Sequence, residues 1–338
     1  MTASDDGTVR RWPLASRVPV QQRRDAVDTL YQVFHPAASR DGNQVLYRST
    51  SDHLPRLWNR GQNLRATFSK GEEGLAAFND GRALVRVSET GEVICYATHP
   101  APEGEPSSAT ELWRAPAGPS IQHFHQIIHT AVSRDERRVA VLQPGKLLVI
   151  DMDTRTTRDT PDQRMLWGAI PGQWLDLLPD GKTIAVTGFQ GSRARLYSAD
   201  DLTVPFVKLV PWDDPTTLDS ACAFSRDGAR LFVANEDGWV RVFDVASRKE
   251  LGSERWKAHS TEITALAVSR SGDIVATAGG GLITLWSAEK DPAKSRRERL
   301  KLATGTKSRN WMQFGDGDTV LLHCAPYYPI EAFEVPEN

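Results

Sequence analysis

Residues 257–286 read KAHSTEITALAVSRSGDIVATAGGGLITLW. Two short apolar runs, ITALAV and DIVATA, flank the four residues Ser269-Arg270-Ser271-Gly272, and a third run, ITLW, ends at Trp286. β-branched runs of this length on either side of a Gly-containing turn form a hairpin, because Gly supplies the positive φ that a tight reversal needs. The same grammar recurs upstream, where ACAF precedes and ARLFVA follows SRDG at 225–228. It continues through SRDG at 39–42, NDG at 79–81, SRDE at 133–136, PDG at 179–181 and GDG at 315–317. The last residues of these turns fall at 42, 81, 136, 181, 228, 272 and 317, a period of about 45 residues, which is the length of a propeller blade.

A third strand follows each hairpin and ends at an aromatic or aliphatic residue. These ends are Trp12, Trp58, Tyr96, Ile150, Tyr197, Phe243, Trp286 and Phe333, and they repeat the same spacing independently. A variable fourth strand fills the remainder of each unit, for example KELGSERW at 249–256.

With DDGTVRRW, DGWVRVFDV and the stretch quoted above, the chain resembles the WD40 repeat family, in a degenerate form of bacterial type, over essentially its whole length. The resemblance implies an all-β propeller whose blades are stapled by a buried polar network of His, Ser or Thr, Asp and Trp. It places His123 and His259 at the His position, ten residues before the turn Ser. Thr277 takes the hydroxyl position, Asp6, Asp52 and Asp237 the Asp position, and Trp12, Trp58 and Trp286 the Trp position. No unit is complete. Gly280 stands where the unit ending at Trp286 should carry its Asp, and Pro215 replaces the His of the unit that holds Asp237. Blades held by strand pairing and apolar packing tolerate such gaps.

Seven turns but eight third-strand ends make the start of the chain odd, since the hairpin belonging to Trp12 would lie before Met1. Residues 1–14 are therefore read as the second half of a blade or as an N-terminal appendage, and 15–338 as one propeller domain. Seven blades are expected, with a strand near Ser16 to Gln22 closing the last one. The alternative is eight with the first truncated. Seven is preferred because an unclosed blade leaves backbone groups unpaired. A start inside a longer reading frame is a further expectation, the chain resembling the tail of a larger signalling protein. The Pro- and Glu-rich stretch THPAPEGEPSSAT at 98–110 reads as a projecting loop, and EKDPAKSRRERLK at 289–301 as a solvated connection.

Composition narrows the function. Across 338 residues, 41 Lys and Arg balance 43 Asp and Glu for a net charge of −2, which argues against a general nucleic-acid or anionic-membrane binder. A 40% hydrophobic content with 10 Trp argues against disorder. Cys95, Cys222 and Cys324 are too far apart for a CxxC site and odd in number, so a reducing compartment is expected. MTASDDGTVRRW has no signal-peptide core, no apolar run is long enough to span a bilayer, and the expected location is the cytoplasm.

Catalytic signatures are sparse. His123, His125 and His129 have the even spacing that would put them on one strand face, yet no acidic or Cys ligand lies in that segment, so no metal site is assigned. Neither G-x-S-x-G nor a P-loop occurs. No cofactor is expected. The reading is a non-catalytic scaffold, monomeric or part of a larger complex, that holds a protein or peptide on the face which the resemblance makes the partner-docking one. Trp239, Trp212, Asp213, Asp214, Trp167 and His125 are the candidate contacts, exposed Trp beside polar groups being typical of binding hot spots. The alternative is a metal-dependent propeller hydrolase or lactonase using channel-lining His or Asp.

Overall fold

The computed structural model describes residues 2–3, 9–11, 20–22, 33–49, 54–59, 65–87, 89–99, 108–116, 129–143, 146–160, 174–187, 194–203, 207–208, 217–288, 298–303, 311–315, 318, 320–324 and 331–335. Strand after strand pairs antiparallel with its chain neighbour. Sheet one comprises Val33–Ala38, Gln44–Ser49, Pro55–Asn59 and Arg65–Thr67, and sheet two Glu72–Ala77, Arg82–Val87, Val93–His99 and Ser108–Ala115. Sheet three runs His129–Val132, Arg138–Gln143, Lys146–Asp151 and Thr156–Asp159, and sheet four Trp174–Leu177, Thr183–Thr187, Arg195–Ser198 and Val207–Lys208. Sheet five holds Asp219–Phe224, Arg230–Asn235, Trp239–Asp244 and a fourth strand in two pieces, Lys249–Glu250 and Trp256–Lys257. Sheet six holds Ile263–Val268, Ile274–Gly279, Leu282–Ser287 and Glu298–Ala303, and sheet seven Trp311–Phe314, Val320–Cys324 and Glu331–Glu334.

An N-terminal sheet pairs Val9–Arg11 with Thr2–Ala3 on one side and with Val20–Gln22 on the other. Three stretches differ from the sequence reading. Val20–Gln22, in the stretch expected to close the last blade, pairs with Val9–Arg11 instead, and sheet seven holds three strands among the described residues. In 98–110 the strands of sheet two run on to the pairs Thr98↔Ala109 and His99↔Ser108. In 289–301, Glu298 begins the outer strand of sheet six rather than continuing a connection.

The turns explain why the repeat is visible. In SRDG at 39–42 the Ser39 hydroxyl donates to Asp41 at 2.5 Å and accepts from the Gln44 N–H at 2.9 Å, while Gly42 takes φ +74°. Ser133 repeats the pattern with Asp135 and Arg138, and Ser225 with Asp227 and Arg230. One hydroxyl thus bridges the turn from first to second strand, which is why Ser recurs there.

Apolar cores lie between sheets rather than within one. Leu46 and Leu57 of sheet one meet Val85 and Ile94 of sheet two, and Leu84 and Cys95 of sheet two meet Val139 and Ile150 of sheet three. Sheet seven packs on sheet one through Leu322, Tyr47 and Trp58, and Gln313 donates to Ser39 O at 2.9 Å. Each middle strand is covered on both faces, so Arg230–Asn235 is buried at every position.

A periodic polar device ties neighbouring sheets together. The residue that opens the second strand reaches the first turn of the next sheet. Gln44 Nε2 donates to Phe78 O at 2.8 Å, Arg82 pairs with Glu136 at 3.7 Å, and Arg138 Nη1 donates to Gly181 O at 3.1 Å. Arg230 is the most buried case, donating to Gly272 O at 2.7 Å and Ala288 O at 2.6 Å with Glu254 at 3.7 Å. Removing that guanidinium leaves two buried carbonyls without donors. Arg230→Met is therefore expected to lower stability by about 3 kcal/mol, read as a shifted urea midpoint. An unchanged midpoint would refute this role.

Candidate functional site

The first strands of sheets one and three to seven face an axial channel holding a narrow cavity of about 190 Å³. Its wall includes Asp176, whose carboxylate accepts from the N–H groups of Phe224 at 2.7 Å and Leu177 at 2.8 Å. The bond to Phe224 joins sheet four to sheet five. Asp176 is half-buried and also lines the wider cavity at one end of the channel. Burial pushes its pKa up to about 7, against the two N–H bonds that favour the ionised form. Beside it, burial raises the Cys222 thiol well above its ordinary value, and burial also raises Cys95, to about 11, so neither is a ready nucleophile.

The ends of the channel differ. One carries the turns between first and second strands, the other the turns between second and third strands and the connections between sheets. At the latter end, Trp239 opens the third strand of sheet five and is half-buried. Its N–H donates to Asn235 Oδ1 at 2.7 Å. Gly238, at φ +83°, brings the backbone so close to sheet six that a Cβ there would lie 2.2 Å from His259 O. Only glycine allows this passage, and the Ala258 N–H bonds Gly238 O at 2.8 Å across it. Arg255 lies 5.7 Å and Lys257 5.6 Å from the Trp239 ring centroid, so two cations flank the indole.

Sequence reasoning singled out Trp239 but missed both cations. The signal was present, since Arg255 and Lys257 flank the buried Trp256 and alternation turns them to the opposite face.

The residues read as a staple take two arrangements. His259 Nε2 and Trp286 Nε1 both lie 2.8 Å from Thr277 Oγ1, inside the core. The indole N–H can only donate, so the Thr277 hydroxyl accepts from it, and the same oxygen shares a second hydrogen bond with His259. No Asp joins them: Gly280, at the Asp position, takes φ +60°, where a Cβ would lie 3.0 Å from Thr261 Oγ1, so an L side chain would be strained at this turn. Asp237 is engaged differently, accepting from Thr217 Oγ1 at 2.9 Å where Pro215 replaces a His. Trp58 is buried between sheets one and seven.

His129 opens the inner strand of sheet three, its ring 4.2 Å from that of Trp174. Asp6, Trp12, Asp52, His123, His125, Trp167, Trp212, Asp213 and Asp214 lie outside the described residues. Among the described residues, no three His, Cys, Asp or Glu side chains gather as a metal site would require.

Comparison with known proteins agrees with this architecture. The family model "WD domain, G-beta repeat" matches residues 218–244 and 251–287, which are sheet five and most of sheet six. No curated protein matches the chain by sequence. Among solved structures, a chain in the crystal structure of the mitotic checkpoint complex superposes with TM-score 0.64 at 12% identity, covering 90% of this chain and 89% of that one. Because 1571 solved chains match in fold, the likeness identifies architecture and not a partner.

Two outcomes follow. Thr277→Val removes the only oxygen between His259 and Trp286 and is expected to cost about 2 kcal/mol in chemical denaturation. Asp176 binds its proton more tightly folded than unfolded, so its contribution to stability falls as pH rises from about 4 to about 7. Asp176→Asn should abolish that slope, its urea midpoint gaining on the wild type across the same window. Parallel pH profiles for the two proteins would show that Asp176 does not titrate there.

Proposed function

We propose that this WD40-repeat chain is a non-catalytic scaffold that holds a protein or peptide partner on the face where Trp239 opens its strand. The observation that carries the reading is Trp239 itself, an indole left half-buried at a rim and flanked by Arg255 and Lys257. Trp and Arg dominate binding hot spots because they combine apolar area with directed polar contacts. Trp212, Asp213, Asp214, Trp167 and His125 are the further contacts proposed for the same face. The structural neighbour belongs to a multi-protein complex, which supports a partner-holding role in general.

A monomer, or one member of a larger assembly, suits this role, with no nucleic acid, membrane or cofactor required. The buried free thiols of Cys95 and Cys222 suit a reducing, cytoplasmic setting. The consecutive sheets from Val33 to Val335, six of which line one cavity, support a single propeller unit, with the N-terminal residues as an addition to it.

The test is capture of partners from native lysate on the full chain beside a Trp239→Ala version, followed by titration of the purified partner. Truncation of a hot-spot Trp is expected to cost about 2 kcal/mol or more, roughly a 30-fold weaker Kd. Equal binding by a folded Trp239→Ala protein would remove Trp239 from the interface.

A further inference from the structure

The opposite end of the channel carries a different chemistry. The turns SRDG at 39–42, SRDE at 133–136, SRDG at 225–228 and SRSG at 269–272 each place an arginine second. Their hydroxyl-bridged backbones hold Arg40, Arg134, Arg226 and Arg270 at one mouth, where all four line a cavity of about 580 Å³. They come from sheets one, three, five and six and so approach from different sides of the axis. Arg40 Nη1 is fixed on Arg134 O, while the Arg134 and Arg270 residues are exposed. Burial lowers the Arg40 pKa, and the charges of Arg134 and Arg270 lower it further, outweighing the nearby carboxylates of Glu136 and Asp135. These like charges are near enough to repel one another.

Carboxylates also line the cavity, but they are committed. Asp41, Asp135, Glu136 and Asp176 each accept a main-chain N–H bond, at 2.7 to 3.1 Å. Burial raises the pKa of Glu136 and of Asp176, whereas at Asp135 burial is outweighed by the bonds from Ser133 and Arg137, which hold the carboxyl below its ordinary range. The turn carboxylates thus shape the mouth, and the four arginines border its space.

We propose that this mouth is a binding site for a small ligand carrying two or more phosphate groups. A volume of about 580 Å³ suits a small molecule. The cavity behind it is smaller, about 190 Å³. Arginines converging from four sheets match charge arranged around a compact centre, and planar forks bind phosphate oxygens in pairs.

The experiment is calorimetric titration of the full chain with tripolyphosphate, with inositol hexakisphosphate, with sodium sulfate and with an oligoglutamate, at low and physiological salt. The first two separate a linear from a ring-borne polyphosphate, and saturable one-to-one binding of either supports the site. Arg134→Ala/Arg270→Ala removes two exposed side chains, so it should fold with an unchanged or higher Tm and bind at least ~10-fold more weakly. Arg226→Ala provides a second variant should the first fold poorly, with weakened binding again expected. Arg134→Lys/Arg270→Lys should recover only part of the affinity, because charge returns without the fork. Binding should weaken with added salt. The proposal is overturned by no heat with either polyphosphate, by equal binding to the alanine variants, by sulfate binding as tightly as the polyphosphates, or by oligoglutamate alone binding.

Discussion

A side chain at the head of the second strand in sheets one, two, three and five, laid across to the turn of the next sheet, is the contact on which this architecture depends. Each sheet is too thin to bury its own faces, so the apolar cores exist only where two sheets meet. Apolar packing is non-directional and would tolerate slippage between those faces. The bonds from Gln44, Arg138 and Arg230 to main-chain carbonyls set the offset, because each reaches a particular oxygen on a turn of defined geometry. Where the device is missing, as at Ile274, the contact runs between turns instead: Arg270 and Ser271 donate their N–H groups to Asp318 of sheet seven.

That arrangement has a consequence for the two ends of the channel. Turns pinned from both neighbours form a rigid rim, and the second residue of each turn points where no staple needs it. The rim can therefore carry arginines whose mutual repulsion costs stability while the turns hold their shape. At the other end the close passage of Gly238 against His259 presents Trp239 between two cations. One end repeats a turn backbone, the other presents an aromatic residue between two cations.

The fold was largely legible in the chain because its signals are local. Turn serines, positive-φ glycines and strand-length apolar runs act within about ten residues, and their repetition makes a weak pattern strong. The candidate sites were legible only in part. Trp239 stood out as a large residue after a tight turn, but Thr217 as partner of Asp237 did not. The outer strand Glu298–Ala303 was masked by the charged residues before it, and the strand extension to His99 by a Pro-rich neighbour.

By itself, the sequence determined the repeat, its period and its turn chemistry, since hydrogen bonds within one hairpin write themselves into adjacent positions. Only the tertiary structure decided that four arginines about 45 or more residues apart share one mouth, and that Arg255 and Lys257 bracket Trp239. Such convergence depends on how sheets are rotated and offset about the axis. That geometry is set by contacts between sheets, whose partners lie a full repeat apart and leave no mark on their neighbours in the chain.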